Sequence, residues 1–243
     1  MEDETPLSGG RITPGVVRIG NTVHRPPTTS TAFVVELLQY LEQQGFTGAP
    51  RHLGFDTHGR QILSYLPGDV PARFQRWIDS QVAAAGALLR ALHDATRGSH
   101  LAGGHPVVCH HDPGPNNAVF RNEIPVALID YDTAASGDPL EDLGYMSWTW
   151  CSSSKSGAPP ATAQAAQVRL LADAYGLDEA GRAQLVEAML DRQARNAQWW
   201  RIHLTGPSPR VAEEAQIIER IRWSEREYTY TLEHREVFTA ALR

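Results

Sequence analysis

The sequence predicts an α+β fold in two lobes, on three observations. The stretch up to about residue 66 carries short strand-like runs around a single amphipathic helix. Pro67-Gly68-Asp69-Val70-Pro71 then interrupts the pattern, because proline and glycine both break regular structure. Beyond it the chain reads as mostly helical, apart from hairpins around the chemistry-bearing loops, one of which turns at Asn122-Glu123 before the apolar run 126–129. The expected division is 1–67 for a small lobe and 68–243 for a larger one. A chain of 243 residues has the length for one large domain or for two lobes around a cleft.

In the small lobe, residues 16–19 and 22–25 read as strands, and 32–44 as a helix. Two further strands at 52–56 and 61–65 are joined through Asp56-Thr57-His58-Gly59, where glycine tolerates the backbone angles of a tight hairpin. The larger lobe opens with a helix over 73–94, whose apolar face is Phe74, Trp77, Ile78, Val82, Ala85, Leu88, Leu89 and Leu92 at three- and four-residue intervals. His93 and Asp94 read as its C-terminal cap. A short helix at 140–150 holds Trp148 and Trp150 as core residues. A helix at 162–175 stops at Gly176, and Asp178 opens the next, which runs towards His203 until Gly206-Pro207-Ser208-Pro209. The last helix spans 210–242, with Ile217, Ile218, Ile221, Trp223, Tyr228 and Leu232 facing inward.

Composition narrows the function classes. The net charge of −6 comes with no basic stripe to neutralise phosphates, which argues against nucleic acid as a partner. Two cysteines, Cys109 and Cys151, make no disulfide framework, and no His/Cys spacing suggests zinc. Cys109 beside His110 reads as a packing cysteine, since adjacent residues on a strand point to opposite faces. No apolar run approaches the ~20 residues of a membrane span, and the start Met-Glu-Asp-Glu is too acidic for a signal peptide, so a cytoplasmic protein is expected. The oligomeric state is not encoded in any pattern.

The chemistry concentrates in Cys109-His110-His111-Asp112-Pro113-Gly114-Pro115-Asn116-Asn117 and in Ile129-Asp130-Tyr131-Asp132. Phosphoryl transfer in kinases uses an Asp to orient the attacking hydroxyl and, five positions later, an Asn on the metal. Asp112 and Asn117 have that interval. Asp130 follows the apolar run Val126-Ala127-Leu128-Ile129, behind which Asn122-Glu123 forms a turn, so a loop, a hairpin and a second loop converge on one cation. Each residue alone is an ordinary turn or cap residue; the combination carries the signal. Downstream, Gly137-Asp138-Pro139 breaks the chain and Asp142 begins or braces a helix.

Together, His110, Asp112, Asn117, Asp130, Gly137, Asp138, Pro139 and Asp142 resemble the signature of the aminoglycoside phosphotransferase and choline kinase superfamily. Gly20-Asn21-Thr22-Val23-His24-Arg25-Pro26, the run from Leu41 to Arg51, and Ile62-Leu63-Ser64-Tyr65-Leu66-Pro67-Gly68 look like the small lobe of its actinobacterial members. The resemblance implies a two-lobed protein-kinase-like fold with a reduced β-rich N-lobe and a helical C-lobe. It implies Mg²⁺-dependent transfer of the γ-phosphoryl of ATP, or of GTP, to a hydroxyl of a small molecule. In that scheme Asp112 is the base, Asn117 and Asp130 hold magnesium, and His110 supports the loop. Asp132 assists metal or substrate, while Asp138 and Asp142 are structural braces. His111 stands where related kinases have Gly or Arg, and either touches substrate or fills space.

Two departures stand against the resemblance. A kinase small lobe offers a strand lysine to the nucleotide phosphates, paired with a helix glutamate, yet the only lysine is Lys155, in a loop of the larger lobe. Arg25 at the end of its strand is the substitute, with Arg18 behind it and Glu36 as partner; arginine keeps the charge but makes planar forked contacts. The one early glycine-rich stretch, Ser8-Gly9-Gly10-Arg11, lacks the spacing that cradles phosphates. These departures motivate a rival reading, a nucleotide- or metabolite-binding pseudokinase, which the intact Asp/Asn/Asp set disfavours. A metal-dependent hydrolase using Asp112, Asp130 and Asp132 is a third. Asp191, Glu213 and Glu214 either favour a cationic amine substrate or form a solvated face, and Trp199-Trp200 either floors a pocket or packs. No motif selects the substrate.

Overall fold

The computed structural model describes residues 4–7, 15–71, 75–206 and 211–243. The glycine-rich stretch at 8–11, the expected start of a helix at 73 with Phe74, and the Pro207-Ser208-Pro209 stop lie outside the described residues. The rest is an α+β fold with a β-rich first part and a helical second part, as expected.

The first part is a five-stranded antiparallel sheet of β1 (Thr5–Pro6), β2 (Val17–Ile19), β3 (Thr22–Arg25), β4 (His52–Phe55) and β5 (Gln61–Ser64), ordered β1-β2-β3-β5-β4. Helix α1 (Thr31–Gln43) buries Val34, Leu37, Leu38 and Leu41, whose three- and four-residue spacing is the stripe that drives it into the core. The β4–β5 turn forms as expected: the Asp56 carboxylate accepts from the amides of His58 and Arg60, both at 2.9 Å, and Gly59 takes φ +75°. Register Arg25↔Gln61 leaves Arg25 buried at the end of the central strand β3.

Pro67 and Gly68 lead out of the sheet. Asp69 and Phe120 exchange backbone hydrogen bonds of 2.9 and 2.8 Å, and Arg121 Nε donates to the Pro67 carbonyl at 2.8 Å. At Gly68, φ is +148° and an added Cβ would stand 2.4 Å from the Phe120 carbonyl oxygen, so both conformation and space demand glycine.

Helix α2 begins later than the periodicity predicts, at Asp79, and runs to Thr96. Trp77 is buried as expected, but from the segment that precedes the helix, stacked 5.1 Å from Phe120. Ile78, expected inward, is 60% exposed: Gln81 accepts from its amide and fixes the helix start there. Next come β6 (Val107–Cys109) and the hairpin β7 (Ala118–Arg121) and β8 (Ile124–Leu128). The two-residue turn is Asn122-Glu123, both with positive φ, the geometry whose twist matches the flanking strands. Strand β9 (Ala135–Gly137) pairs with β6.

Helix α3 (Pro139–Met146) continues as a π-helical turn, Ser147–Cys151, that buries Trp148 and Trp150. Asp138 caps α3: its carboxylate accepts from the Leu140 amide at 2.9 Å, and Glu141 reaches back to the Asp138 amide at 3.2 Å. Gly144 lets α3 approach the later helix that carries Ala188 closely, since a Cβ there would meet the Ala188 backbone at 2.6 Å. Helices α4 (Ala161–Tyr175) and α5 (Glu179–Thr205) follow, separated by Gly176 in the left-handed region and capped by Asp178 on the Gly181 amide.

The last helix is two: α6 (Glu214–Glu233) and α7 (Arg235–Leu242), broken at His234, so that α7 packs on α4 with Phe238 fully buried. Leu232, expected inward, is exposed. The buried row of α6 is Ile217, Ile221, Ser224, Glu227 and Thr231. That row faces a partly polar seam, in which Gln193 donates to Thr231 at 2.9 Å and Asn196 to Ser224 at 2.8 Å. Among the described residues no helix is long and apolar enough to cross a membrane.

Candidate active site

The β7–β8 hairpin sets the site. Register Ala118↔Leu128 places Asn117 just before one strand and Asp130 just after the other, and the Ile129 amide donates to the Asn117 carbonyl at 2.9 Å. The two side chains expected to share a cation therefore emerge from the same open end of one hairpin. Asn117 Nδ2 donates to both the Asp112 carboxylate (2.8 Å) and the Asp112 carbonyl (2.9 Å). With its amide nitrogen so engaged, Asn117 presents Oδ1 as its metal-capable atom. Asp130 sits in the left-handed region at φ +65° with its side chain 46% exposed.

A buried bracket holds the loop. The Asp142 carboxylate, fully buried, accepts from the amides of His110 and His111 (both 2.7 Å) and stands 3.1 Å from His93 Nε2. His93, read from sequence as a helix cap, is instead fully buried, with Nδ1 2.8 Å from the Tyr175 hydroxyl. His110 links the two halves of the site, since Nε2 donates to the Ile129 carbonyl at 3.1 Å while Nδ1 accepts from the Asp112 amide at 3.3 Å. Thr133 Oγ1 donates to the His110 carbonyl, Trp150 Nε1 to the Pro113 carbonyl and Arg192 Nη2 to the His111 carbonyl. His111 itself adopts φ +63°, with its ring against the Thr133 carbonyl and Glu141, so it fills the gap between the loop and α3.

These surroundings set the charges. Burial pushes Asp112 up to about 6, with Asp130 adding to the rise; a hydrogen bond from Tyr145, that from Asn117 and the charge of Arg192 oppose it. Burial also raises Asp142, but the hydrogen bond and charge of His93 prevail and hold it at about 2. Burial lowers His110 to about 4, which keeps its ring neutral.

The signs predict an unusual acid response. His110 is depressed, so the stability it contributes above its ordinary range near 6.5 is lost as pH falls towards 4. Asp112 is raised, so the folded state gains stability as it takes up a proton on the way down through 6. The two offset each other between pH 6 and 4. Removing one side of the balance, as in Asp112→Asn, should make the loss between pH 7 and pH 5 larger than in wild type by about 1–2 kcal/mol. Chemical denaturation at the two pH values reads the difference; equal losses would refute the assignment.

Arg25 reaches this site from β3: Nη2 bonds Asp132 and Nη1 lies 3.5 Å from Asp130 Oδ1. The expected Arg25–Glu36 pair does not form, because Glu36 Oε1 stands 2.8 Å from His100 Nε2 on the protein surface. Arg18 is not at the site: its guanidinium lies 3.7 Å from the Tyr65 ring centre, and Nε donates to the Gly20 carbonyl. Asp132 is partly buried, and burial raises its carboxyl against the lowering charge of Arg25. Lys155 is exposed in its loop. Asp191 pairs with Arg195 at 2.7 Å, a surface contact, and Glu213 and Glu214 are exposed. Trp199 is exposed and packs against His203 and Trp200.

Sequence reasoning missed His93, Tyr145 and Arg192. His93 had a signal, since it lies four residues after Leu89 on the inward stripe of α2. The other two lie far along the chain from the loop they support and belong to no motif.

The profile of the phosphotransferase enzyme family matches residues 96–186, which include the loop, the hairpin, Asp130 and Asp142. A trifolitoxin immunity protein of Rhizobium leguminosarum bv. trifolii is 32% identical over 268 aligned residues, covering 100% of both chains. Among solved structures, a choline/ethanolamine kinase family protein from Mesorhizobium loti superposes with a TM-score of 0.66 at 21% identity, over 99% of this chain and 92% of that one. A spectinomycin phosphotransferase in complex with ADP and spectinomycin superposes with a TM-score of 0.61 at 12% identity, over 89% and 88%. The full-length relative and the family profile over the signature loops establish the lineage: the chain belongs to the phosphotransferase enzyme family.

Proposed function

We propose that the protein transfers the γ-phosphoryl group of ATP to a hydroxyl of a small molecule with the help of Mg²⁺. The observation that carries this reading is the meeting of Asp112, Asn117 and Asp130 at one hairpin end, with Asn117 bonded to the Asp112 carboxylate. Asn117 Oδ1 and the Asp130 carboxylate are hard oxygen donors of the kind magnesium takes. When bound there, the ion offsets the charge that develops on the phosphates. Asp112 orients the acceptor hydroxyl and takes its proton; a carboxyl group raised to about 6 is still ionised at neutral pH yet basic enough to be useful. Arg25 is the cation for the phosphates, in the role of the missing lysine. We take Pro67–Gly68 as the boundary between the nucleotide-binding lobe and the lobe with the catalytic loop.

Calorimetry tests the metal assignment. ADP or ATP should bind more tightly with Mg²⁺ than with EDTA, and Asp130→Asn should erase the difference. Equal affinity with and without the metal in wild type would sink the reading, and tight nucleotide binding without turnover on any acceptor would favour the pseudokinase.

A narrower reading of the acceptor is supported by the relative that matches over its whole length and is called a trifolitoxin immunity protein. In it the acceptor hydroxyl belongs to a toxic molecule, and phosphorylation protects the cell. Release of ADP from MgATP, screened over trifolitoxin, aminoglycosides, choline-like amines and sugars, discriminates this from an acceptor of ordinary metabolism.

A further inference from the structure

Arg25 rests on carboxylates in the place where the proposed function needs a cation. Its side chain is 8% exposed, its two terminal nitrogens face Asp132 and Asp130, and the helix glutamate that would hold it elsewhere is occupied by His100. A guanidinium 3.5 Å from Asp130 Oδ1 competes with any divalent ion for the same carboxylate. With Arg25 in place, the two carboxylates and the guanidinium leave a single negative charge; without it they leave two. Phosphate oxygens match the guanidinium fork as well as carboxylates do. A nucleotide can therefore draw Arg25 off without leaving its charge buried and unpaired.

We propose that Arg25 is a placeholder for the metal: in the nucleotide-free chain it covers the cation-facing side of Asp130 and Asp132, and a divalent ion binds strongly only with a nucleotide whose phosphates take the guanidinium over. This rests on the reading that Asp130 ligates the ion, and it adds an order of events to that reading. The metal alone finds its site partly neutralised. The nucleotide and the metal together exchange partners with Arg25, each anion keeping a cation. Arg25 thus opposes one ligand and assists the other, a combination that a purely structural arginine would not produce.

The probe is Mn²⁺, a paramagnetic stand-in for Mg²⁺, titrated into the full chain without nucleotide and followed by electron paramagnetic resonance. Arg25→Gln should bind Mn²⁺ about tenfold more tightly than wild type, a conservative expectation for removing a unit charge a few ångströms from the ligand. The same variant should bind ADP with Mg²⁺ more weakly than wild type. Shifts of opposite sign support the placeholder; unchanged or weakened Mn²⁺ affinity in Arg25→Gln overturns it. Asp130→Asn, titrated with ADP present, separates the two claims: if it leaves Mn²⁺ affinity unchanged there, the metal assignment itself fails, whereas loss of Mn²⁺ binding there with no gain in Arg25→Gln refutes only the placeholder. Should Arg25→Gln fail to fold, wild-type thermal shifts decide. Mg²⁺ alone should leave Tm nearly unmoved and Mg²⁺ with ATP should raise it; a rise with Mg²⁺ alone equal to that with both overturns the inference.

Discussion

Asp112→Asn is expected to lower kcat on the true acceptor by about 10²–10⁴-fold, the range that general bases contribute, with ATP affinity nearly unchanged. The substitution keeps the shape of the side chain and removes the proton acceptor and its charge. Stability at neutral pH should stay near wild type, because the buried carboxylate already strains against ionisation, as its rise to about 6 records. The same rise fixes the pH profile. The carboxylate is the active form, so wild-type kcat/KM should fall as pH drops through about 6, and the fall should vanish from the residual activity of Asp112→Asn. Turnover retained within a few-fold in the variant is incompatible with a base at this position. Collapse of the fold would instead mean that Asp112 is a loop brace.

Much of this site was legible because its signals are local. The five-residue interval from Asp112 to Asn117, the Asn122-Glu123 turn and the Asp130 position after an apolar run all lie on consecutive chain. The hairpin register then converts short sequence separations into contacts. Asp138, read only as a brace, turns out to cap α3 through a capping box with Glu141 that is built within four residues. Arg25 was singled out by elimination, as a cation at the end of its strand, yet its partners were not: Asp132 stands 107 residues away. Arg192, 81 residues from the carbonyl it holds, was invisible for the same reason.

The misread elements share a different cause, namely that periodicity records apolarity and not burial. The inward row of α6 contains Ser224, Glu227 and Thr231, because Glu227 accepts from the Ser154 amide and hydroxyl while Thr231 and Ser224 meet Gln193 and Asn196. Polar groups that find partners inside are buried without the cost that otherwise keeps them at the surface. Leu232, one position on, was taken for the buried residue and is exposed. His93 was misread in the same way. A histidine near a helix end has a capping explanation ready, and only the far side of the core, with Asp142 and Tyr175, shows that it is a bracket.

Asp142 is where the fold and the proposed chemistry depend on one side chain. Its carboxylate, with no exposure to solvent, accepts from two loop amides and stands against His93. Asp142→Ala leaves both amides and a histidine nitrogen buried without their partner. Each buried donor left unsatisfied costs about 1–3 kcal/mol, so a loss of roughly 3–5 kcal/mol is expected, and at roughly 2–4 °C per kcal/mol for a chain of this size the melting temperature should fall by on the order of 10 °C. Asp142→Asn should recover only part of the loss, because an amide offers one acceptor oxygen where the carboxylate offers two, and its NH₂ faces a backbone N–H. The hydrogen bond and charge of His93 outweigh burial and keep the wild-type carboxyl near 2, so this contribution persists above the ordinary Asp range near 3.8 and disappears only as pH falls towards 2. Denaturation at neutral pH measures the effect directly. An Asp142→Ala variant that melts within a degree or two of wild type would show that the bracket does not hold the loop, and the placement of Asp112 would then need another cause.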